Sequence, residues 1–284
     1  KHMEMMLSYG FNAGEYFSCR AKNYLDIITD QSGVFLTIDL AKDRFNMIIL
    51  IFFFLHWYLS LFFQTFFLHR YTSHKMFKMS PIWEKIFFLL TFLFQGSSFL
   101  HPAAYGVMHR NHHSHADTPK DPHSPVHLTN IISFNLSTVN EYRKLVNEFM
   151  TGQRTSVDVP RWIMLEKIGE SLFTRFGFIL LYVLFYLEFA TASWQYALLP
   201  FHVFMGSMHG FIVNWFGHKR GYRNFDDIND NSKNTLPIDF LMMGELYQNN
   251  HHRRPNNMNF AVRWFEIDLG YLATSFLKKL KVIY

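Results

Sequence analysis

The chain has 284 residues, of which 19% are aromatic, 33 of them Phe, and only 17% are charged. Ordinary soluble domains carry about 25% charged residues, so the balance tilts toward lipid. The formal net charge of +5 suits an anionic membrane surface, no basic stripe interleaved with stacking aromatics marks a nucleic-acid partner, and the single Cys19 excludes an internal disulfide and a cysteine-based metal site.

Residues 1–3, "KHM", look like a cloning remnant, and residues 1–44 read as a mixed amphipathic and polar segment with the charged cluster "DLAKDR" and no cleavable leader. The run Phe45–Leu68, "FNMIILIFFFLHWYLSLFFQTFFL", then holds 24 residues without Asp, Glu, Lys or Arg. About 20 apolar residues cross the hydrocarbon layer, so this run is the expected first span. His56 and Gln64 interrupt it and are expected to hydrogen-bond between helices. The 15 residues of Ile86–Leu100 are too few for a full span and read as a buried or interfacial helix. Phe176–Phe189 and Trp194–Trp215, separated by "ATAS", read as a helical hairpin. Trp57, Tyr58, Trp194 and Trp215 fall near the expected interfaces, where amphipathic rings concentrate. Residues 101–170 carry a histidine-rich segment, the turn-rich "DTPKDPHSP" and a charged amphipathic region. The chain ends in "RWFEIDLGYLATSFLKKLKVIY", which reads as an amphipathic helix with its basic end on the lipid surface. The expected fold is all-α: one integral membrane domain over residues 45–284, with three to four spanning helices and a helical cap on one side.

Of the 16 His, eight fall into short groups beside the hydrophobic runs. "HRYTSH" holds His69 and His74, "HRNHH" holds His109, His112 and His113, "QNNHH" holds His251 and His252, and His218 closes "NWFGH". Positions i, i+3 and i+4 share one helix face, so His109, His112 and His113 are expected to aim at one point. Gln248, His251 and His252 repeat that spacing, and Asn214 lies four residues before His218 on the same face. Eight imidazoles exceed the four ligands of an ordinary zinc site, so two metal ions are the simpler account. Imidazole suits iron, copper, nickel and zinc, and the spacing does not choose among them. His2, His101, His115, His123, His127, His202 and His209 lack the pattern and read as structural, surface or supporting residues. Asp117, Asp121 and Glu245 lie close enough in sequence to orient ligating rings through the nitrogen that faces away from the metal; ordinary solvated or turn carboxylates are the alternative.

"HRYTSH", "HRNHH" followed by "DTPKDPHS", "NWFGHKRGYRNFDD" and "GELYQNNHHRRP" together resemble the membrane fatty-acid desaturases, in particular the acyl-CoA delta-9 (stearoyl-CoA) branch, over roughly Phe45–Tyr271. That resemblance implies a multi-pass membrane protein with its active site facing the cytoplasm. It also implies a di-iron centre held by His69, His74, His109, His112, His113, His218, His251 and His252, with Asn214 reaching iron through a water. Gln248 departs from the branch, which has a ninth histidine there, although other desaturase branches carry Gln. The family also places a spanning helix ahead of the one leading into the first box, and residues 1–44 contain no convincing span.

The implied reaction introduces a double bond into a long acyl chain, acyl-CoA being the expected carrier, with O2 as co-substrate and two electrons from outside. The sequence shows no haem, flavin or iron–sulfur motif, so an external donor such as ferredoxin, rubredoxin or cytochrome b5 is expected. No nucleophile elbow, phosphate-binding glycine loop or dinucleotide fingerprint appears. Arg70, Lys75, Arg110, Lys219, Arg220, Arg223, Arg253 and Arg254 are candidate contacts for a phosphate-bearing carrier; the alternative is the positive bias of any cytoplasmic loop. Related outcomes on the same metal pair are lipid hydroxylation, acetylenic bond formation and oxidative decarboxylation. A zinc-dependent membrane hydrolase and a non-catalytic metal-binding receptor are the readings from other classes.

Overall fold

The computed structural model describes residues 34–284 apart from 122, 129, 156 and 157, with backbone alone over 34–46. Cys19 and most of the expected N-terminal segment lie outside the described residues. The first helix, α1 (Val34–Phe63), begins ahead of the apolar run and continues directly into a π-helical stretch, Gln64–Ser73. No Gly or Pro interrupts it, which is why it runs so long. Ser80 caps α2 (Pro81–Gln95) and Pro81 sits at its first position, where the missing N–H costs nothing.

Gly96 ends α2 at φ +53°, and the Tyr182 hydroxyl occupies the place a Cβ would take. A short 3-10 turn follows, then α3 (Pro102–His115), with an 82° bend between the two arms. The run Ile86–Leu100 is therefore one arm and the elbow of a bent pair, not a continuous span. The hairpin expected downstream is formed by α6 (Leu172–Phe189), a 3-10 turn at Ser193–Leu198, and α7 (Leu199–Gly217). Its turn is closed by Gln195, whose Oε1 accepts from the N–H groups of Thr191 and Ala192 at 2.6 and 3.0 Å. Among the described residues, three helical stretches, Met47–Ser73, Leu172–Phe189 and Ser193–Gly217, are long and apolar enough to cross a membrane, and the bent pair makes a fourth candidate.

Polar groups tie these helices together, as expected where lipid offers no partner. His56 Nδ1 on α1 lies 2.6 Å from His202 Nδ1 on α7, whose Nε2 is 2.9 Å from the Tyr186 hydroxyl on α6. Gln64 instead lines an internal cavity. At Gly206 the backbone of α7 approaches so closely that its N–H donates to Ser98 Oγ at 2.8 Å, and a Cβ would press on the Ser98 carbonyl. An aromatic core of Phe66, Phe67, Phe88 and Phe99 fills the junction of α1, α2 and the elbow.

Two polar regions build the cap. The first holds α4 (Ile131–Met150), capped by Asn130, and α5 (Ile163–Glu170). Leu145 and Phe149 of α4 pack on Ala103, Ala104 and Met108 of α3. The second, after α7, holds α8 (Gln248–Arg253) and α9 (Leu269–Lys279). Leu272 and Phe276 remain exposed along one side of α9, with Leu280 exposed just beyond its end, the amphipathic character anticipated for it. The terminal Tyr284 exchanges two backbone hydrogen bonds with Lys78, so the chain end closes over the π-helical stretch.

Candidate metal centre

His69 and His74 are five residues apart, which on an α-helix would leave them about 140° from each other at 100° per residue. The π-helical turn removes that separation, because its i→i+5 bonding stacks residue i+5 over residue i. The His74 N–H donates to the His69 carbonyl at 3.2 Å, and the two rings lie 5.0 Å apart. α3 adds His109 and His113 from one side, and α8 adds His251. The five rings meet through Nε2: His69 to His251 at 3.0 Å, His251 to His113 at 2.9 Å, His113 to His109 at 3.0 Å, and His109 to His74 at 2.8 Å.

A second group stands beside the first. His112 from α3, His218 from the end of α7 and His252 from α8 bring ligand atoms within 4.8 Å of one another. Rings of the two groups are in contact, His113 and His252 being 4.4 Å apart. The expectation that His109, His112 and His113 aim at one point is corrected here. Residues 112 and 113 diverge by one helical step, so His109 and His113 face one group while His112 faces the other. His251 and His252 split in the same way.

Carboxylates set the direction of four rings. Asp121 accepts from His112 Nδ1 at 2.7 Å, Asp117 from His218 Nδ1 at 2.9 Å, and Asp230 from His252 Nδ1 at 2.7 Å. Glu245 Oε2 lies 2.6 Å from His69 Nδ1. Burial raises the affinity of Asp121 for protons, but the hydrogen bond and charge of His112 outweigh it and hold that carboxyl at about 2. An ionised oxygen on Nδ1 fixes the tautomer and leaves Nε2 with a lone pair. Asp117, Asp121 and Glu245 thus lie where their spacing suggested. Asp230 was missed, and the acidic run "FDDIND" after the His218 group was its only signal.

The donor set fits metal ions. Nε2 of His112, His218 and His252 is buried without a hydrogen-bond partner. In the five-ring group an uncharged ring nitrogen either donates or accepts, never both. Alternation of donors and acceptors along the chain of rings leaves at most two of the four contacts as linear hydrogen bonds. Burial, then the neighbouring rings of His69 and His252, push the His74 proton affinity down to about 2, and His251 is likewise held well below the ordinary histidine range. Uncharged, inward-facing lone pairs are satisfied by a cation.

The two amides are less engaged. Asn214 Nδ2 donates to the Gly210 carbonyl at 2.9 Å and Gln248 Nε2 to the Glu245 carbonyl at 2.7 Å, so each has only its oxygen to offer. Asn249 and Asn250 of the same helix are structural. Asn249 Oδ1 receives the N–H groups of Asn224 and Phe225, and Asn250 Nδ2 reaches Phe260 O and Glu266.

The candidate carrier cations divide. Arg70 is fully buried, bonded to Asp268 at 2.8 Å and Glu245 at 3.1 Å, with its guanidinium 4.1 Å from the Phe260 ring. It cannot meet a phosphate; it braces the carboxylate that orients His69. Arg110 and Lys75 share Asp158, Arg253 pairs with Asp227 at 2.8 Å, and Arg223 spends its N–H groups on the carbonyls of Phe225, Ile228 and Asp230. Lys219 and Arg254 lie over the rings of Trp215 and Phe225, and Arg220 is exposed.

A mainly apolar cavity reaches this centre. His109, His123 and Glu245 line its metal end, and Leu61, Phe134 and Phe211 represent its walls from α1, α4 and α7.

The candidate spans and the clustered imidazoles make this an all-helical protein of membrane type with a polyhistidine cluster suited to metal ions. The fatty acid desaturase family model matches residues 46–276, and the chain belongs to that family. It is 28% identical over 222 residues to a sn-1 stearoyl-lipid 9-desaturase of Synechocystis sp., covering 75% of this chain and 63% of that protein's length. It is 30% identical over 216 residues to Delta-9 acyl-lipid desaturase 1 of Arabidopsis thaliana, covering 74% and 66%. A hex-5-enoyl-(acyl-carrier protein) acetylenase of Moorena producens is 27% identical over 254 residues, covering 80% and 73%.

Proposed function

We propose that this chain is an O2-dependent fatty acyl desaturase that places a double bond in a long acyl chain. The single observation that carries the reading is the apolar cavity running up to His109 and Glu245 at the five-histidine group. The balanced reaction takes two hydrogens from adjacent methylenes and, with O2, two electrons and two protons, yields an alkene and two waters. Two iron ions, held by His69, His74, His109, His113 and His251 and by His112, His218 and His252, would supply the redox chemistry that no side chain can.

The protein's part is positioning. Asp117, Asp121, Asp230 and Glu245 hold their rings with lone pairs inward, and the apolar walls seat the chain and keep bulk water from the reacting carbons. The cavity's surface is mainly apolar, which suits an unactivated methylene. We read the carrier as a membrane lipid rather than CoA. Five of the eight candidate cations, Arg70, Lys75, Arg110, Arg223 and Arg253, are taken up by carboxylates or carbonyls, and a phosphate-rich carrier needs cations to spare. The names of the two 9-desaturase relatives are consistent with this. We also read the metal centre as facing the cytoplasm, with electrons arriving there from a separate carrier protein.

Mass spectrometry of lipids from cells expressing the chain or its His112→Ala variant tests the reading. A new double bond that depends on His112 is expected; identical profiles would remove the assignment. The acetylenase likeness makes a triple bond the second outcome to look for in the same spectra.

A further inference from the structure

The cavity that reaches the histidine groups has an open side. Leu61 of α1, Met108 of α3 and Met242 of the cap, which wall it, are 8% exposed or less. Val139 of α4 and Ser207 of α7, which also line it, are exposed. The opening therefore lies between α4 and α7.

The two helices part for local reasons. Phe134 holds the start of α4 on α7, its ring 6.0 Å from that of Phe211 and 5.3 Å from that of Trp215. Eleven residues further on, Leu145 packs instead on α3, against Ala103, Ala104 and Met108. On the other side, α7 leaves helical geometry at Phe204 (φ −112°, ψ 16°), and the Ser207 hydroxyl donates to the Phe204 carbonyl at 3.0 Å. Behind Ser207, Gly210 leaves the wall bare: a Cβ there would meet only Gln64 Nε2, at 3.9 Å.

The rim decides what the opening faces. Ile132, Leu136 and Val139 stand at i, i+4 and i+7, share one face of α4, and are 69%, 58% and 38% exposed. Phe204, one turn before Ser207 on α7, is 60% exposed. Ser207 lies inside the candidate span Ser193–Gly217, eleven residues ahead of His218 and so about 16 Å along the helix from it. An opening within a span and rimmed by apolar side chains meets hydrocarbon, not water.

We propose that this gap is a lateral portal, through which the acyl chain of a bilayer lipid passes between α4 and α7 into the cavity. The chain then reaches the histidine groups without leaving the hydrocarbon layer. The inference rests on reading the substrate as the acyl chain of a membrane lipid. Val139 and Ser207 set the width of the entry, and Gly210 the room behind it.

The test places the full chain in vesicles of phosphatidylcholine that carries a diazirine midway along one acyl chain. After illumination, mass spectrometry identifies the residues bearing lipid. Label is expected on the buried Leu61, Met108 and Met242 as well as on the lipid-facing Phe176 and Leu180. Ser207→Trp and Val139→Trp add bulk at exposed positions, where the fold tolerates it. Both should lose the buried labels and keep those on Phe176 and Leu180. Phe173→Trp, 87% exposed on α6, should label like the native chain. Buried labels that survive both portal substitutions overturn the proposal. So does a native chain labelled on its lipid-facing side alone while its host gains a new double bond. Absence of both the buried labels and the double bond would instead sink the acyl-chain reading, and the portal with it.

Discussion

Arg70 and His69 are neighbours in sequence and are joined through one carboxylate: Glu245 Oε2 meets His69 Nδ1 at 2.6 Å, and Arg70 holds Glu245 Oε1 at 3.1 Å. Thr65 bridges the same oxygen and the guanidinium. The cation thus keeps an acceptor ionised against His69 while its other nitrogen grips Asp268 at 2.8 Å. Glu245→Gln keeps the shape and removes the charge. Iron affinity at the five-histidine group should drop roughly 10- to 100-fold, the usual effect of losing a partner that orients a ligand. Chelator competition measures it, and an unchanged affinity would mean that packing alone orients the ring.

Arg70→Met tests the brace separately. Removing one partner of a buried ion pair costs about 3–5 kcal/mol, because Asp268 and Glu245 then stay buried without their counter-charge. The melting temperature in detergent should fall accordingly. Arg220→Gln, at an exposed position, should leave it unchanged. If Arg70→Met melts like the native chain and only substrate affinity falls, the residue contacts substrate after all.

The positions of the ligands fix the parity of the spans. His69 and His218 sit at the ends of Met47–Ser73 and Ser193–Gly217 and belong to adjoining histidine groups, so the turn before α7 is expected across the membrane from them. In a Cys19→Ser background, single cysteines at Lys78 and Lys120 should react with an impermeant thiol reagent from one face. A cysteine at Ser193 should react only from the other. Labelling of all three from one side would break the proposed topology.

Acid should destabilise the metal-free chain above the range where carboxylates titrate. His252 is lowered from 6.5 to about 4, burial being the largest cause and only partly offset by Asp230, and His74 is lowered to about 2. The unfolded rings bind protons near pH 6.5 and the folded ones do not. Stability is therefore complete above that value and declines as pH falls toward 4, with His74 extending the loss further. Each ring contributes about 1.4 kcal/mol per pH unit inside its window. Thermal unfolding between pH 7.5 and 4.5 checks the sign; a flat profile would show that the rings are not held uncharged.

The helical class, the long apolar runs and the clustering of eight histidines were legible in the sequence. Each of those signals is local: an apolar run as long as the bilayer is thick, or imidazoles at helical spacing. Asp117, Asp121 and Glu245 were legible for the same reason, lying within a few residues of a ring. How the rings divide between two groups is set by long-range packing. Adjacent helix positions point about 100° apart, so His112 and His113 part company, and which ring goes where depends on α7 and α8 arriving beside α3. The same holds for Arg70, which looked like a surface cation until Asp268, 198 residues away in sequence, closed over it. Asp230 and the π-helical turn beneath His69 and His74 also escaped the pattern. A buried charge or a widened helix is stabilised by partners that sequence distance hides.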